Sequence, residues 1–368
     1  MTTFKPLHLV VTGGAGFIGS NFVRWVLEHE PDIRVTNLDL LTYAGNLESL
    51  VDVEGRFGDR GERRYRFVRG DIGDFDLVRS LIGGAPLPDA IAHFAAESHV
   101  DRSILGPRVF VETNVNGTFT LLEAVRAELA ERARPFRFVH VSTDEVYGDL
   151  GPDDPAFTED TPLQPHSPYS ASKAASDLLV RAYAHTFGLP AIITRCSNNY
   201  GPFQFPEKLI PLIITRALAD QPLPVYGDGK NVRDWVYVGD HAEAVWSAMT
   251  LGRVGTAYNI GGQCEVENLE IVRHVLRVLG KPESLIRFVP DRPGHDRRYA
   301  MNIAKIRSEL HWQPRHRLED GLGATVQWYA AHRQWWERVA SEAYRAANAM
   351  YLGGAEERGP GGGQRQGA

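Results

Sequence analysis

The stretch Leu7–Ser20, LHLVVTGGAGFIGS, decides the fold. An apolar run ends in a glycine cluster in which Gly13, Gly16 and Gly19 keep a three-residue spacing, and SNFVRWVLEHE follows with helical periodicity. Glycines alone mark ordinary turns. Between a first strand and a first helix each has a separate role. Gly13 permits the tight turn, Gly16 lets the backbone approach a pyrophosphate, and Gly19 lets helix and strand pack closely. The helix N-terminus adds N–H donors and the positive end of its dipole. The spacing therefore predicts a dinucleotide site at the start of the chain.

Outward from that loop, the next strand, IRVTNLDLL, ends at Asp39, about 20 residues on. A carboxylate at that strand end binds a ribose 2′-hydroxyl and would repel a 2′-phosphate, so NAD is expected rather than NADP. The runs YRFVRGDI, AIAHFAAES, FRFVHVSTDE and AIITRC read as further strands, separated by helical or loop segments. Continuous Val, Ile, Leu and Phe runs alternating with amphipathic helices predict an α/β fold, a Rossmann-type doubly wound parallel sheet covered on both faces. Ligands of such sheets sit at the carboxyl ends of the strands. Asp71 and Ile72 are thus expected near the adenine, and Ala95 to His99 near the nicotinamide ribose. His99 reads equally as a hydrogen-bonded loop histidine.

After residue 197 the texture changes. NNYGPFQFPEKLIP, LPVYGDGK and VPDRPGHDRR are rich in Pro, Gly and charge and fall between helices. They predict a smaller mixed α/β domain over 198–234 and 263–350 that lays loops across the sheet edge. Residues 1–197 and about 235–262 form the nucleotide-binding part, since DWVYVGDHAEAVWSAM and TAYNIGG read as a helix and strand returning to it. The Gly-rich tail 353–368 is expected to be disordered. The chain of 368 residues carries a net charge of −6 with its basic residues scattered, which argues against a nucleic-acid partner. No stretch approaches the roughly 20 apolar residues of a membrane span. The opening residues lack the pattern of a signal peptide. Of the two cysteines, Cys196 and Cys264, both are expected to be buried free thiols in a reducing cytoplasm.

Two further motifs carry chemistry. YSASK places Tyr169 and Lys173 four apart at a helix start, on one face. A surface pair is the ordinary meaning of that spacing. Downstream of a glycine loop, and after a strand ending Ser142-Thr143, it predicts an alcohol-oxidising site in which the ammonium draws the phenol toward its phenolate. The second motif is odd. VSTDEVYGDL sets two acids, Asp144 and Glu145, at the end of a buried strand, where like charges repel. A solvated N-capping pair is the plain alternative, but the position falls at the crevice.

From about Leu7 to Tyr329, GGAGFIG, the Asp39 strand end and YSASK resemble the extended short-chain dehydrogenase/reductase family, whose members act on nucleotide sugars. Within it, STDEVYG is similar to the motif of the dTDP-glucose 4,6-dehydratases, as are the flanking NNYGPFQFPEKLIP, GKNVRDWVYV and DRPGHDRRY. The resemblance implies an NAD-dependent lyase with dTDP-glucose as substrate. It also implies a homodimer, paired through the helix from about 107 to 131 and the Tyr169 helix.

The reaction accounts for the paired acids. Oxidising sugar carbon 4 to a ketone, with a hydride lent to NAD, makes the carbon 5 proton acidic. Tyr169 takes the carbon 4 hydroxyl proton, helped by Thr143 and Lys173. Glu145 removes the carbon 5 proton, a protonated Asp144 delivers one to the leaving carbon 6 hydroxyl, and the hydride returns at carbon 6. Adjacency and burial both raise one acid, so that an acid and a base coexist. Related 4-epimerases lack the pair, and GDP-mannose dehydratases generally have Ser where this chain has Asp144. Another nucleotide-sugar epimerase or dehydratase is the alternative, and an NAD-binding regulator without activity is the alternative from another class. Such regulators usually lose the Tyr or Lys.

The resemblance further implies cofactor contacts at Phe17, Ile18, Leu40, Leu41, Thr42, Ala95, Ala96, Glu97, Ser98, His99, Thr113, Tyr169, Lys173 and Asn199, Lys173 being able to bond the nicotinamide ribose. It assigns substrate contacts to His99, Thr143, Asn198, Lys208, Leu209, Pro224, Val225, Tyr226, Arg233 and Asn268, and to Asp291, Arg292, Pro293, Gly294 and His295. Arg233 and Arg292 have guanidinium forks suited to pyrophosphate. No metal is expected. Asp101 and Arg102 in ESHVDRS adjoin the crevice and take no role.

Overall fold

The computed structural model describes residues 3–291 and 294–341. Arg292, Pro293 and the Gly-rich tail lie outside the described residues.

The strands expected from the apolar runs form one parallel sheet: β1 (His8–Thr12), β2 (Arg34–Asp39), β3 (Tyr65–Arg69), β4 (Ala90–His93), β5 (Arg137–Thr143) and β6 (Ala191–Cys196). With the later β10 (Ala257–Ile260) the order is β10-β6-β5-β4-β1-β2-β3. Every neighbouring pair runs parallel. The chain leaves β1 in one direction through β2 and β3, then restarts on its other side at β4. That reversal between β1 and β4 opens a crevice at their carboxyl ends.

Both faces are covered, as the buried strands require. On one, Phe22, Val26 and Leu27 of the helix Phe17–His29 pack with Val245 and Met249 of the helix Val238–Leu251. On the other, Leu121 and Val125 of Thr118–Glu131 pack with Val180 and Tyr183 of Pro168–Phe187. The helix expected over about 107–131 is interrupted: Val111–Gly117 winds as a π-helix before Thr118–Glu131 continues.

A second core gathers Ile210, Ile213 and Ile214, Ile271, Val272 and Val275, and Leu322, Val326 and Tyr329 from three helices. Over it run β7 (Asn198–Tyr200), β9 (Val232–Tyr237) and β11 (Glu265–Glu267) in one small sheet, and β8 (Leu223–Tyr226) beside β12 (Ile286–Val289). Two details depart from the expected division. The return at residue 235 falls inside β9. Ile303, Ile306, Leu310 and Trp312, expected in the smaller part, pack in the core of the large sheet. Both cysteines are free, but Cys264 is only half-buried, because it sits in the loop before β11 rather than in a strand.

Candidate active site

At the glycine loop each residue can be tested against its neighbours. Gly13 has φ +73°, and a Cβ there would lie 2.5 Å from the Ala95 nitrogen. At Gly19 a Cβ would meet the Gly13 carbonyl at 2.2 Å. Gly16 differs: its Cβ would approach only that carbonyl, at 3.4 Å, so packing does not demand glycine there. What Gly16 faces is the cleft. No side chain caps the helix Phe17–His29, and its first turn holds no acid. Its amides and dipole are therefore disposed toward an anion.

Asp39 closes the same end. Its Oδ2 accepts from the Ala15 amide at 2.9 Å and its Oδ1 from the Leu41 amide at 2.8 Å. Burial raises its carboxyl above the usual range, and these two amides pull it back. Each oxygen retains a lone pair for a ribose hydroxyl. These residues fit a dinucleotide.

At the other end, the helix Pro168–Phe187 starts on a capping box. Ser167 accepts from the Ser170 amide, the Ser170 hydroxyl answers the Ser167 amide, and Pro168 takes the first turn. This capping fixes where the helix begins, and so puts Tyr169 and Lys173 one turn apart facing β5. Both are buried. Lys173 Nζ donates to the Val141 carbonyl at 2.8 Å, and burial lowers its ammonium to about 8 against the pull of Asp177. The phenol departs from expectation. Burial, with Glu145 and the Cys196 thiol adding to it, pushes Tyr169 well above its ordinary value, and only a hydrogen bond with Thr143 works the other way. The ammonium is held on the Val141 carbonyl, so in this arrangement it does not draw the phenol down.

The paired acids stand in a 3-10 turn, Asp144–Tyr147, at the end of β5. Thr143 organises it: its Oγ1 accepts from the Glu145 amide at 3.3 Å and donates to Asp144 Oδ1 at 3.2 Å. Asp144 is 2% exposed, and its Oδ2 has no hydrogen-bond partner among the described residues. Burial, the neighbouring Glu145 charge and Asp234 push its carboxyl well above the usual range, opposed by Arg233 and the Thr143 hydroxyl. A buried carboxyl so placed keeps its proton. Glu145 is half-buried.

One cleft of about 300 Å³ joins the two ends. It is lined by Gly13, Gly16, Asp39, Thr143, Asp144, Glu145, Tyr169 and Lys173 together. Of the other expected cofactor contacts, Phe17, Ile18, Gly19, Leu40, Thr42, Asp71, Ile72, Ala95, Ala96, Glu97, Ser98, Thr113 and Asn199 line it too. Leu41 and His99 do not. Leu41 turns at φ +59° and packs on the sheet core, leaving Leu40 toward the cleft. His99 is the N-cap residue of the short helix Val100–Leu105, with Nε2 3.8 Å from Glu207 Oε2.

The expected substrate contacts divide. Thr143, Asn198 and Lys208 line the cleft, whereas Leu209, Pro224, Val225, Tyr226, Arg233, Asn268, Asp291, Gly294 and His295 stand outside its walls. Leu209 opens a helix that packs into the second core. Pro224 to Tyr226 lie on β8. Asp291 Oδ1 is bonded to His295 Nδ1 at 2.6 Å, and the His295 ring meets Tyr226 edge-on. Asn268 Oδ1 is buried without a hydrogen-bond partner among the described residues. Arg233, expected to reach for phosphate, already donates to the carbonyls of Val232, Asp296 and Arg297. Of its five N–H groups two are left.

Some cleft features escaped the sequence. Asn114, in the π-helix, bonds the amide and carbonyl of Glu97 at 2.8 and 2.9 Å and Ser172 Oγ at 2.8 Å. It ties the β4 loop to the Tyr169 helix. Tyr43, Cys196 and Glu207 also line the cleft. Of these, Cys196 and Glu207 fall in the stretches AIITRC and NNYGPFQFPEKLIP, where neither was given a role at the cleft, although a π-helix is itself a frequent mark of function.

With this geometry in view, comparison with known proteins is decisive. Residues 10–325 match the family model described as GDP-mannose 4,6 dehydratase. A dTDP-glucose 4,6-dehydratase of Xanthomonas campestris pv. campestris (strain B100) is 55% identical over 349 residues, 91% of this chain and 97% of that one. The chain belongs to the family of the dTDP-glucose 4,6-dehydratases. Among solved structures of that family, DesIV from Streptomyces venezuelae, crystallised with NAD, is 50% identical with a TM-score of 0.84, covering 90% of this chain and 99% of its own. A Thermus thermophilus UDP-glucose 4-epimerase, also complexed with NAD, superposes with a TM-score of 0.78 at 31% identity, over 88% and 99% of the two chains. Fold alone thus does not separate dehydratase from epimerase; the strand-end acids must.

Proposed function

We infer that the protein converts dTDP-glucose to dTDP-4-keto-6-deoxyglucose, with NAD as a cofactor that ends each cycle as it began. The observation that carries this is Asp144: a buried carboxyl with one bare oxygen, beside Glu145 and in the same cleft as Tyr169. An epimerase has no use for a proton donor there. Bound NAD would supply a reversible hydride acceptor, seated along the Gly13–Gly19 loop and Asp39.

Tyr169, hydrogen-bonded with Thr143, takes the carbon 4 hydroxyl proton. To take that proton Tyr169 must first lose its own to solvent; burial alone disfavours the phenolate, and the positive charge of a bound nicotinamide ring would favour it. Lys173 holds the Val141 carbonyl and adds the only buried cation on that face of the helix among the residues lining the cleft. Glu145 removes the carbon 5 proton once carbon 4 is a ketone. Asp144 then protonates the departing carbon 6 hydroxyl, and its lack of a second partner leaves Oδ2 available for that transfer. Asn198 and Lys208 are, beside Thr143, the described residues of the expected substrate set that share the cleft, and we assign them the first sugar-nucleotide contacts.

We further propose a homodimer paired through the helices Thr118–Glu131 and Pro168–Phe187, whose Phe119, Leu178 and Phe187 are exposed. Two free thiols suit a reducing compartment, and we place the enzyme in the cytoplasm. No described helix is long and apolar enough to cross a membrane. The test of the activity is one incubation with dTDP-glucose, with the product treated with alkali. The chromophore of a 4-keto-6-deoxy sugar is expected, and recovery of dTDP-galactose in its place would assign an epimerase.

A further inference from the structure

The segment Glu97–Ser103, ESHVDRS, holds an arginine that the proposed chemistry leaves unused. Arg102 stands in the helix Val100–Leu105, directly after the β4 loop. Its guanidinium lies 3.5 Å from the centroid of the Tyr43 ring, and its Nη2 donates to Glu207 Oε2 at 3.0 Å. The Tyr43 hydroxyl is hydrogen-bonded to the same carboxylate. Phe205 meets the Tyr43 ring edge-on at 5.6 Å, and Lys208 Nζ donates to the Ser98 carbonyl at 2.9 Å. Three loops are thereby tied together: the one after β2, the one after β4, and the one leading into the helix Leu209–Leu218.

The tie lies over the site. Tyr43, Phe205 and Glu207 are walls of the cleft that holds Asp39 and Tyr169. The side chains of Arg102 and Glu207 are 18% and 19% exposed, so their attraction is little screened by salt. A guanidinium on an aromatic face gains most when it is withdrawn from water in this way. A ligand seated in the cleft shares its walls with the tied residues.

We propose that Arg102 is the hub of a latch, closed by Tyr43 and Glu207, that retains NAD in the cleft from one turnover to the next. The inference rests on the cofactor assignment made above. It deepens that assignment, because a cycle that returns NAD unchanged has no need to release it. Arg102 is a positioning residue: it acts through Tyr43 and Glu207 and takes no part in the chemistry.

The full-length protein, loaded with NAD and rapidly desalted, provides the test. NAD is expected to leave the Arg102→Met variant about tenfold faster than the wild type, the effect of losing a partly desolvated cation–π contact and its ion pair. Turnover by the desalted variant falls and returns when NAD is added. Arg102→Lys, a cation without the planar fork, lies between the two. Tyr43→Leu guards against a folding defect in the first variant and shifts retention in the same direction. NAD retained by Arg102→Met and Tyr43→Leu as long as by the wild type overturns the latch. A wild-type protein that holds no NAD strikes instead at the cofactor assignment, and the two failures are told apart.

Discussion

Asp39 and Asp144 occupy the same kind of place, the carboxyl end of a parallel strand at the rim of one crevice, and both are buried. Their partners differ. Asp39 is held by two backbone amides, one on each oxygen. Asp144 has a hydroxyl on one oxygen and no partner among the described residues on the other, with Glu145 and Asp234 adding negative charge. Donors around the first favour its charged form. Acids around the second favour its neutral form. The same side chain at equivalent strand ends is thus set up to accept hydrogen bonds in one case and to keep a proton in the other, as the proposed roles require.

The largest effect is expected where that contrast is sharpest. Asp144→Asn and Glu145→Gln should each lower formation of the 4-keto-6-deoxy product by about 10³-fold, the usual scale for a lost general acid or base. Glu145→Gln still oxidises carbon 4, so reduced nicotinamide accumulates when substrate is added. Rapid scanning of its absorbance checks this, and near-normal turnover by Glu145→Gln would remove the assigned base.

Next comes the cation beside them. Lys173→Met should cost about 10²-fold in turnover. In the wild type, activity should fall as pH rises through about 8, where Lys173 loses its proton. The sign for stability is the opposite. Burial holds the folded Lys173 below its unfolded value, so the unfolded chain binds more protons between about 8 and 10.5, and stability contributed by this group rises with pH across that window. At pH 7 the buried charge is a burden. Lys173→Met should therefore stabilise the fold by on the order of 1 kcal/mol while disabling it; denaturant titration at pH 7 measures this.

At the other strand end the effect is gentler. Asp39→Asn keeps an acceptor for one amide but removes the charge, so NAD binding should weaken by about tenfold and discrimination against NADP should shrink. Titration with both dinucleotides gives the ratio. An unchanged ratio would mean that Asp39 serves only to hold the Ala15 and Leu41 amides.

Most of this contrast was legible from local pattern. Glycine spacing, the Asp39 strand end, Tyr169-x-x-x-Lys173 and the Asp144-Glu145 pair are short-range features, and short-range features fix strand ends and helix starts. Errors came where one residue's direction or a distant partner mattered. Leu40 and Leu41 are neighbours, but the turn at Leu41 sends it to the core. Arg233 is chemically a phosphate fork, yet the 296–297 carbonyls, more than sixty residues away, already engage it. Tyr169 was expected to be lowered by Lys173, but the Val141 carbonyl claims that ammonium. Nothing in the spacing of Tyr43, Arg102 and Glu207 announces their meeting, because three separate loops must converge to produce it.

The smallest expected effect tests the cause rather than the role. Asp234, itself raised to about 6 chiefly by burial, adds to the charge that keeps Asp144 neutral, and its Oδ1 accepts from the Cys264 amide at 2.8 Å. Asp234→Asn retains an acceptor for that amide and removes only the charge. Asp144 should then ionise at lower pH, though still above the ordinary carboxylate range, since burial and Glu145 still act on it. A folded-state carboxyl raised above its unfolded value stabilises the protein at low pH and loses that contribution as pH rises from the unfolded to the folded value, so the same substitution should end that loss at lower pH and make it smaller. In the Lys173→Arg background, where the lysine's own loss of charge is moved upward, the alkaline limb of turnover should begin at lower pH with Asp234→Asn than without it. A limb that stays where it was would mean that Glu145 and burial alone hold the proton on Asp144, and that only the neighbour in sequence separates it from Asp39.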